Sequence, residues 1–408
     1  MARTSRISVA LLLAAGMALA AGCGGQGGYT RQASSLAKEK MNILKSGTEW
    51  EMARQAFLAG DLEKALRKVD NSLAVNPSVT KSHVLKGRIL LEMGDLGQAL
   101  RSLQTARAIS PDDIDAHYYS GVALERLDKL EEAFEEYRTA ASLDVYNDQY
   151  VMAAAETLID LKRNTEAVRM LRSSPAYDHS AGIRQTLGYI AQLAEDYDSA
   201  IEEFQAARLL APDDLDILED LTRAQFAKRL YPEAAYGLGL LLRDPNYATR
   251  RDLLRMQAEC MVKLDRTSEA REAYLKLTSD PSGTPDVDSW IGLGDVSYRM
   301  GDLTTLRRAA TRVVAMAPDR KEGYVLWTLL HRSQNNTTEA LRSIDDAIAR
   351  DQADPTLRTM RALVLLELNR PQAARDALAE ALHLDPNNAP ARAMLARIDR
   401  SIAGVDTP

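Results

Sequence analysis

The sequence has few residues of the kinds that build disulfides and metal sites. Its 408 residues include only two cysteines, Cys23 and Cys260, and five histidines, which are scattered without the paired helical spacing of zinc proteases. Cys23 follows an apolar leader and Cys260 is expected in a helix core, so we predict no disulfide bond. Because no catalytic or metal-ligating cluster is spaced for chemistry, we predict no enzyme activity, no cofactor and no small-molecule substrate.

Basic runs and long apolar runs are also scarce. The formal net charge is −7 and no block of lysines and arginines suits a phosphate backbone, so we expect no nucleic-acid partner. The extended apolar run, Ile7 to Ala21, has fifteen residues and follows Arg3 and Arg6. It is too short to span a bilayer comfortably and is typical of a signal peptide. We assign residues 1–22 to this leader, whose removal changes the net charge from −7 to −9.

What the sequence does contain is one unit repeated along the chain. Thr80 to Asp113 reads as helix, tight turn, helix and tight turn in 34 positions. The alanine of its second helix returns at steps of 33 to 36 residues, with Leu306 in the equivalent place of one copy. A fixed period of this length predicts a stacked array of helical hairpins. The recurring alanines are Ala65, Ala99, Ala133, Ala167, Ala200, Ala234, Ala270, Ala340 and Ala374.

Glycine and proline recur at fixed places in the unit. A glycine lies midway along several first helices, where we expect it to let the alanine of the second helix approach closely. Gly-Asp-Leu turns at 60–62, 94–96 and 301–303 predict a left-handed glycine followed by an aspartate cap. Prolines end several second helices, because the residue before proline disfavours helical geometry. These residues are Gly87, Gly121, Gly188 and Gly294, and Pro77, Pro111, Pro212, Pro318 and Pro386.

This pattern resembles the tetratricopeptide repeat, whose motif has Trp, Leu and Gly on the first helix, then Ala, an aromatic residue, Ala and Pro. Trp290, Leu293 and Gly294 with Pro318 form the closest local match. The resemblance implies an all-α superhelical solenoid of about ten helix-turn-helix copies. We place their starts near Ser46, Thr80, Ile114, Asp148, Ala181, Leu215, Arg251, Val287, Lys321 and Pro355.

The remaining segments complete the predicted domain organisation. Copies one to seven span 46–280 and copies eight to ten span 287–388, with a candidate bend at Ser279 to Asp286. A leading helix over 29–45 is predicted to cover the first copy, and a capping helix over 389–403 the last, because open arrays need polar-backed caps. Residues 23–28 form a glycine-rich tether and residues 404–408 a disordered tail.

The end of the leader, Leu19-Ala20-Ala21-Gly22-Cys23, resembles the lipobox of bacterial lipoproteins. The resemblance implies cleavage before Cys23, diacylglycerol on its sulfur and acylation of the new amino terminus; stable anchoring takes more than one acyl chain. It implies a lipid-anchored envelope protein that faces the periplasm or exterior, at the outer membrane if the cell has two. The alternative is ordinary secretion, with Cys23 an incidental small residue near the cleavage site.

In proteins that this repeat resembles, the first helices line a concave groove that holds protein or peptide ligands. The corresponding positions here interleave aromatic residues with arginines, a composition enriched at protein-binding hot spots. Alternatively, the aromatics pack between repeats and the arginines are solvated. The groove candidates are Trp50, Arg54, Phe57, Arg88, Tyr118, Tyr119, Glu125, Tyr189, Arg223, Phe226, Tyr298 and Arg299.

The sequence therefore predicts a non-enzymatic scaffold or adaptor that binds protein partners at the cell envelope. Lipoproteins that it resembles serve pilus and secretion-system assembly, which is the first hypothesis. An adaptor in exopolysaccharide export, or a regulator of cell-wall-synthesising enzymes, is the second. A subunit that completes or activates an enzyme is the third, since a fold alone does not fix function.

Overall fold

The computed structural model describes residues 28–279 and 286–402, which form 21 α-helices and, within those ranges, no strand. The predicted all-α solenoid of helical hairpins is confirmed. The chain divides into two compact units, unit 1 ending at Ile190 and unit 2 beginning at Ala191. The predicted leader, Cys23, the centre of the candidate bend and the tail lie outside the described residues, so the bend remains a prediction.

Unit 1 consists of four helical hairpins followed by one further helix. In each hairpin two consecutive helices pack against each other, and each hairpin packs against the next. The helices are α1 (Gly28–Leu58), α2 (Leu62–Val75), α3 (Thr80–Glu92), α4 (Leu96–Ile109), α5 (Ile114–Glu125), α6 (Leu130–Leu143), α7 (Asp148–Asp160), α8 (Asn164–Ser173) and α9 (Ala181–Leu193), whose last turn belongs to unit 2.

Unit 2 begins with one helix, continues with five hairpins and ends with a single helix. These are α10 (Tyr197–Leu210), α11 (Leu215–Ala227), α12 (Tyr231–Leu241), α13 (Arg251–Lys263), α14 (Thr267–Ser279), α15 (Val287–Arg299), α16 (Leu303–Met316), α17 (Lys321–Ser333), α18 (Thr337–Arg350), α19 (Pro355–Glu367), α20 (Pro371–Leu384) and α21 (Ala389–Ile402). From the second copy to the tenth, every predicted start coincides with the first residue of a helix.

The two ends of the described structure differ. At the carboxyl end α21 packs on the last hairpin, where Ala391 and Ile398 are buried in a cluster with Leu365 and Leu378. At the amino end the leading helix is not a separate element, because α1 runs without a break from Gly28 to Leu58. Its first half does not cover the first copy, and several of its apolar side chains face solvent.

The predicted turn chemistry is present in the described residues. Gly60, Gly94 and Gly301 have positive φ angles of 78°, 80° and 72°. The aspartate after each glycine accepts a hydrogen bond from a backbone N–H of the next helix, at 3.1 Å for Asp61 and Asp95 and 3.0 Å for Asp302. Other copies place a residue with a side chain in this left-handed conformation: Asp128, Lys162, Glu195, Arg229, Asp265, Asn335 and Asn369.

We expect the same substitution to have opposite effects at two neighbouring glycines. Gly94→Ala forces a Cβ into the left-handed region and should lower the free energy of unfolding by about 1–2 kcal/mol, although no atom lies within 4 Å of that Cβ. Gly97→Ala lies in α4 with only the flexible Arg101 side chain nearby and should raise stability by about 0.5 kcal/mol. Urea denaturation of both variants tests this; a loss of equal size at both sites would contradict the backbone argument.

The repeated alanines all lie in the core, but at Gly87 and Gly121 the nearest neighbour is not the predicted alanine. Every recurring alanine is fully buried. A Cβ on Gly87 would lie 2.5 Å from Leu103, and one on Gly121 would lie 2.6 Å from Tyr137. Leu103 and Tyr137 stand one turn after the alanine of their helices. Gly87 and Gly121 therefore make room for a large side chain of the second helix, whereas a Cβ on Gly294 would lie 2.6 Å from Leu326 of the following hairpin.

Two further observations bear on sequence-based expectations. Cys260 is a free thiol buried in the core around α13, and burial raises its pKa to about 12. This environment favours a packing role, because the reactive thiolate is disfavoured there. Among the described helices, none combines the length and the apolar character needed to cross a bilayer.

Candidate protein-binding face

The first helices of unit 1 bring several predicted groove residues together on one exposed side. We call this side the aromatic face and define it by residues of α1, α3, α5 and α7. Its members are Trp50, Phe57, Lys81, Arg88, Asp115, Tyr118, Tyr119, Glu125, Gln149, Tyr150 and Glu156.

Arg88 occupies the centre of the contacts between three consecutive first helices. Its guanidinium carbon lies 5.3 Å from the ring centroid of Phe57 on α1 and 4.7 Å from that of Tyr119 on α5. Cation–π contacts of this kind hold a guanidinium in place without consuming its N–H donors. Because no ion pair joins Arg88 to a carboxylate of the described residues, these donors are available to a partner.

Four tyrosines form a continuous cluster next to Arg88. The ring centroid of Tyr118 lies 5.1 Å from that of Tyr119, 5.6 Å from Tyr137 and 5.3 Å from Tyr150. The Gln149 amide donates a 2.8 Å hydrogen bond to the Tyr118 hydroxyl. Tyr118, Tyr119 and Tyr150 are only partly buried, so their rings offer rigid apolar surface at little entropic cost.

Beneath this cluster Tyr137 is almost completely buried and anchors the face to the core. It is 2% exposed, and its hydroxyl donates a 2.6 Å hydrogen bond to Glu125. Burial, with this hydrogen bond, raises the pKa of Tyr137 far above its ordinary value. The Tyr137 hydroxyl therefore stays protonated throughout the physiological range and continues to donate its hydrogen bond to Glu125.

The aromatic face carries two exposed carboxylates whose pKa values are raised. Burial is the main cause that raises the pKa of Asp115, and the nearby Asp113 adds to the rise while Arg88 opposes it. Burial also raises the pKa of Glu156, with further contributions from Glu125 and Asp160. Neither Asp115 nor Glu156 has a cationic partner within ion-pair distance in the described structure, so both carboxylates are open to a cationic group of a ligand.

The amino-terminal end of the face is arranged differently. The Trp50 indole N–H donates a 3.1 Å hydrogen bond to the Lys81 carbonyl, and the Lys81 ammonium lies 4.2 Å from the indole centroid. Arg54 forms a 2.7 Å ion pair with Glu51 of its own helix, which lowers the pKa of Glu51. The charge of Arg54 is thus balanced by Glu51, and Arg54 takes no part in the contacts of Arg88 with Phe57 and Tyr119.

The other groove candidates do not belong to the aromatic face. Tyr189 is half exposed on α9. In unit 2 the Arg223 guanidinium pairs with Glu219 at 2.8 Å and also with Asp252. Arg250 completes this network, and its hydrogen bond is the main cause that lowers the pKa of Asp252 to about 2.

The remaining three candidates also have partners within unit 2. The ring centroids of Phe226 and Tyr231 are 5.9 Å apart, and both rings pack on the unit 2 core. Tyr298 packs against the cluster that contains Leu306. Arg299 pairs with Asp295 of its own helix at 3.1 Å.

Several residues of the aromatic face were not identified from the sequence. Asp115, Gln149, Tyr150 and Glu156 extend the face onto α5 and α7. Tyr150 stands at the third position of its copy, outside the positions that the repeat resemblance assigns to ligands. The signal that could have found it is its spacing from the Tyr118-Tyr119 pair, since about one repeat length separates neighbouring first helices.

Comparison with protein families supports the repeat assignment locally. The tetratricopeptide-repeat profile matches residues 51–113, 84–148 and 327–389. The first two matches contain most of the aromatic face, and the third covers hairpins near the carboxyl end. No curated protein sequence matches the chain.

Solved structures with similar helical stacking include PilW, PilF and the Cut9–Hcn1 assembly. The type IV pilus biogenesis factor PilW is 17% identical, with a TM-score of 0.44 over 50% of this chain and 94% of that chain. PilF of Pseudomonas aeruginosa is 21% identical, with a TM-score of 0.42 over 50% and 93%. The Cut9–Hcn1 assembly of the APC/C is 12% identical, with a TM-score of 0.40 over 89% and 98%.

Proposed function

We propose that this chain is a non-enzymatic scaffold whose aromatic face binds an extended segment of a partner protein. The observation that carries the proposal is the Arg88 guanidinium held between Phe57 and Tyr119, beside exposed tyrosine rings and carboxylates without cationic partners. Rigid aromatic surface with an arginine at its centre is the composition of protein-binding hot spots. Helical hairpins with tetratricopeptide-type repeats commonly supply such surfaces.

The charges on the face indicate what kind of segment it binds. Asp115, Glu125 and Glu156 lie around the tyrosine cluster, and Arg88 lies between Phe57 and Tyr119. A lysine or arginine of the partner could contact both the carboxylates and the ring faces. We therefore expect ligands that combine a basic residue with neighbouring apolar or aromatic residues.

Selection from a displayed library of random peptides tests this directly. The purified chain should enrich peptides with the stated composition, and Arg88→Ala combined with Tyr118→Ala should reduce their binding at least about tenfold. The matched control is Arg138→Ala with Tyr146→Ala, which removes the same two residue types at sites of unit 1 that are 58% and 80% exposed. Equal loss in both variants, or no enrichment, would remove the aromatic face from consideration.

Peptide binding should weaken as the pH falls through the acidic range. The raised pKa values of Asp115 and Glu156 mean that both groups take up protons at higher pH than ordinary carboxylates, which removes the negative charge that attracts a basic ligand. The combined Asp115→Asn and Glu156→Gln variant should bind more weakly at neutral pH and show little further loss on acidification. Titration calorimetry of a selected peptide at several pH values measures both effects; an unchanged pH profile in the variant would refute the assignment.

We further propose that the scaffold is held at the bacterial envelope by acylated Cys23 and serves pilus or secretion-system assembly. Mass spectrometry of the protein extracted from membranes of its own cell should find an amino-terminal peptide that begins with an acylated Cys23. An unmodified terminus would refute the anchor. Pilus or secretion subunits that co-purify with wild-type protein but not with the Arg88 and Tyr118 variant would support this role. Polysaccharide-export or wall-synthesising enzymes would favour the second hypothesis instead.

A further inference from the structure

The first half of α1 exposes several large apolar side chains to solvent. We call residues 32–45 the leading segment. Leu36, Met41, Ile43 and Leu44 are 52%, 63%, 54% and 68% exposed, although they stand within a single stretch of nine residues. Isolated exposed apolar side chains are ordinary, but a contiguous group of this kind marks an interaction site.

The apolar side of the leading segment is turned away from the rest of unit 1. A cleft of about 500 Å³ separates the segment from the turn that joins α2 to α3, and Val75, Asn76 and Ser78 form its far wall. From α1, the cleft is lined by Ser35, Lys38, Glu39, Asn42 and Ile43. At 3.6 residues per turn the four polar positions lie roughly opposite Ala33, Ala37, Met41 and Leu44, whereas Ile43 stands at the border of the cleft beside Leu36.

The segment is also positively charged, in contrast to the chain as a whole. It contains Lys38, Lys40 and Lys45 but only one acidic residue, Glu39, whereas the full chain has a net charge of −7. All three lysines are exposed, and none forms an ion pair with a described residue. An apolar stripe accompanied by lysines without ion-pair partners is complementary to a partner whose apolar interior is covered by anionic groups.

The position of Lys40 distinguishes a membrane from a second copy of the chain. Lys40 projects from the middle of the apolar stripe, between Leu36 and Leu44 along the helix. In a helix pair with another copy, its ammonium would be buried against apolar side chains, which carries a large desolvation cost. At a bilayer its methylene stem can remain among the acyl chains while the ammonium reaches the headgroups.

We propose that the leading segment is an interfacial membrane-binding helix that recognises anionic lipid headgroups. It lies in the plane of the surface, with Ala33, Leu36, Ala37, Met41 and Leu44 inserted at the boundary between headgroups and acyl chains. The lysines add electrostatic attraction near an anionic surface. This contact is independent of Cys23 acylation and of the aromatic face, and it orients unit 1 relative to the membrane.

Vesicle binding tests the proposal with the chain from Gly24 to Pro408, which lacks Cys23 but retains every described helix. It should co-sediment with vesicles of phosphatidylglycerol and phosphatidylcholine, more weakly at high salt, and much less with phosphatidylcholine alone. The combined Leu36→Gln, Met41→Gln and Leu44→Gln variant should lose at least about tenfold in binding. Lys38→Gln with Lys40→Gln should weaken binding and reduce its salt dependence.

The matched control replaces three leucines that are also well exposed but lie outside the segment. These are Leu58, Leu193 and Leu209, which are 68%, 51% and 83% exposed, each changed to glutamine. Equal loss in both triple variants, or equal binding to neutral and anionic vesicles, would overturn the proposal. So would vesicle-independent dimerisation, detected by sedimentation, that the leading-segment variant abolishes. Peptide binding by the same variant should be unchanged, which separates this contact from the proposed partner site.

Discussion

Replacing Tyr137 with alanine is expected to lower the free energy of unfolding of unit 1 by about 3–5 kcal/mol, as for other large aromatic residues in cores. Tyr137 is among the largest fully buried side chains of the described structure and fills the space left by Gly121. The backbones of α5 and α6 cannot close on the cavity without moving Ala133 and Leu124, which pack in the same cluster. The loss should therefore include a cavity cost besides the transfer cost.

Tyr137→Phe separates the ring from the hydroxyl group. It keeps the packing against Gly121 but removes the hydrogen bond to Glu125, so about 1–2 kcal/mol should be lost. Tyr146→Ala, at an 80% exposed site in the same unit, should change stability by less than about 0.5 kcal/mol.

Hydrogen exchange during urea denaturation can assign the Tyr137→Ala loss to unit 1. Repeat arrays do not always unfold in one step, so a single global midpoint would be ambiguous. Faster exchange in α5 to α7, with α15 to α20 unchanged, is the expected pattern. The Tyr118 ring should also become mobile, because Tyr137 supports it from below. A uniform change across the chain would contradict local anchoring by Tyr137.

Leu306→Ala is expected to destabilise unit 2 by about 2–4 kcal/mol, although it installs the residue that the other copies carry. Leu306 is fully buried and packs with Ala310, Leu326 and Leu330. Trp290 and Trp327 lie at the edge of the same cluster. These neighbours leave a space that alanine cannot fill, so the shorter side chain creates a cavity.

Two other substitutions define what the Leu306→Ala result means. Ala340→Leu makes the reverse change at a fully buried alanine, and overpacking should cost about 1–3 kcal/mol. Leu209→Ala removes the same atoms at an 83% exposed site and should have little effect. Stabilisation by Leu306→Ala would show that repeat consensus outweighs local packing at this site. A loss confined to Leu306→Ala and Ala340→Leu in thermal or urea denaturation is the outcome we expect.

The candidate site could be predicted only in part. Arg88, Tyr118 and Tyr119 were identified from their positions in the repeat, and they meet as expected for residues of successive first helices. Arg223 was identified by the same rule, but it pairs with a carboxylate 29 residues further along the chain. A repeat position indicates which way a side chain projects. It does not indicate whether a neighbouring copy supplies an opposite charge.

The sequence by itself determined the repeat length, the helix starts and the turns, because these depend on contacts within one copy. A left-handed glycine, an aspartate cap and a buried alanine each act over a few residues and return whenever the motif returns. Only the tertiary structure decided where the apolar stripe of the leading segment points, which side chain fills the space beside Gly121, and which arginines keep free donors. Helical spacing shows which residues share a face, but the packing of that helix against its neighbours decides whether the face is buried or exposed.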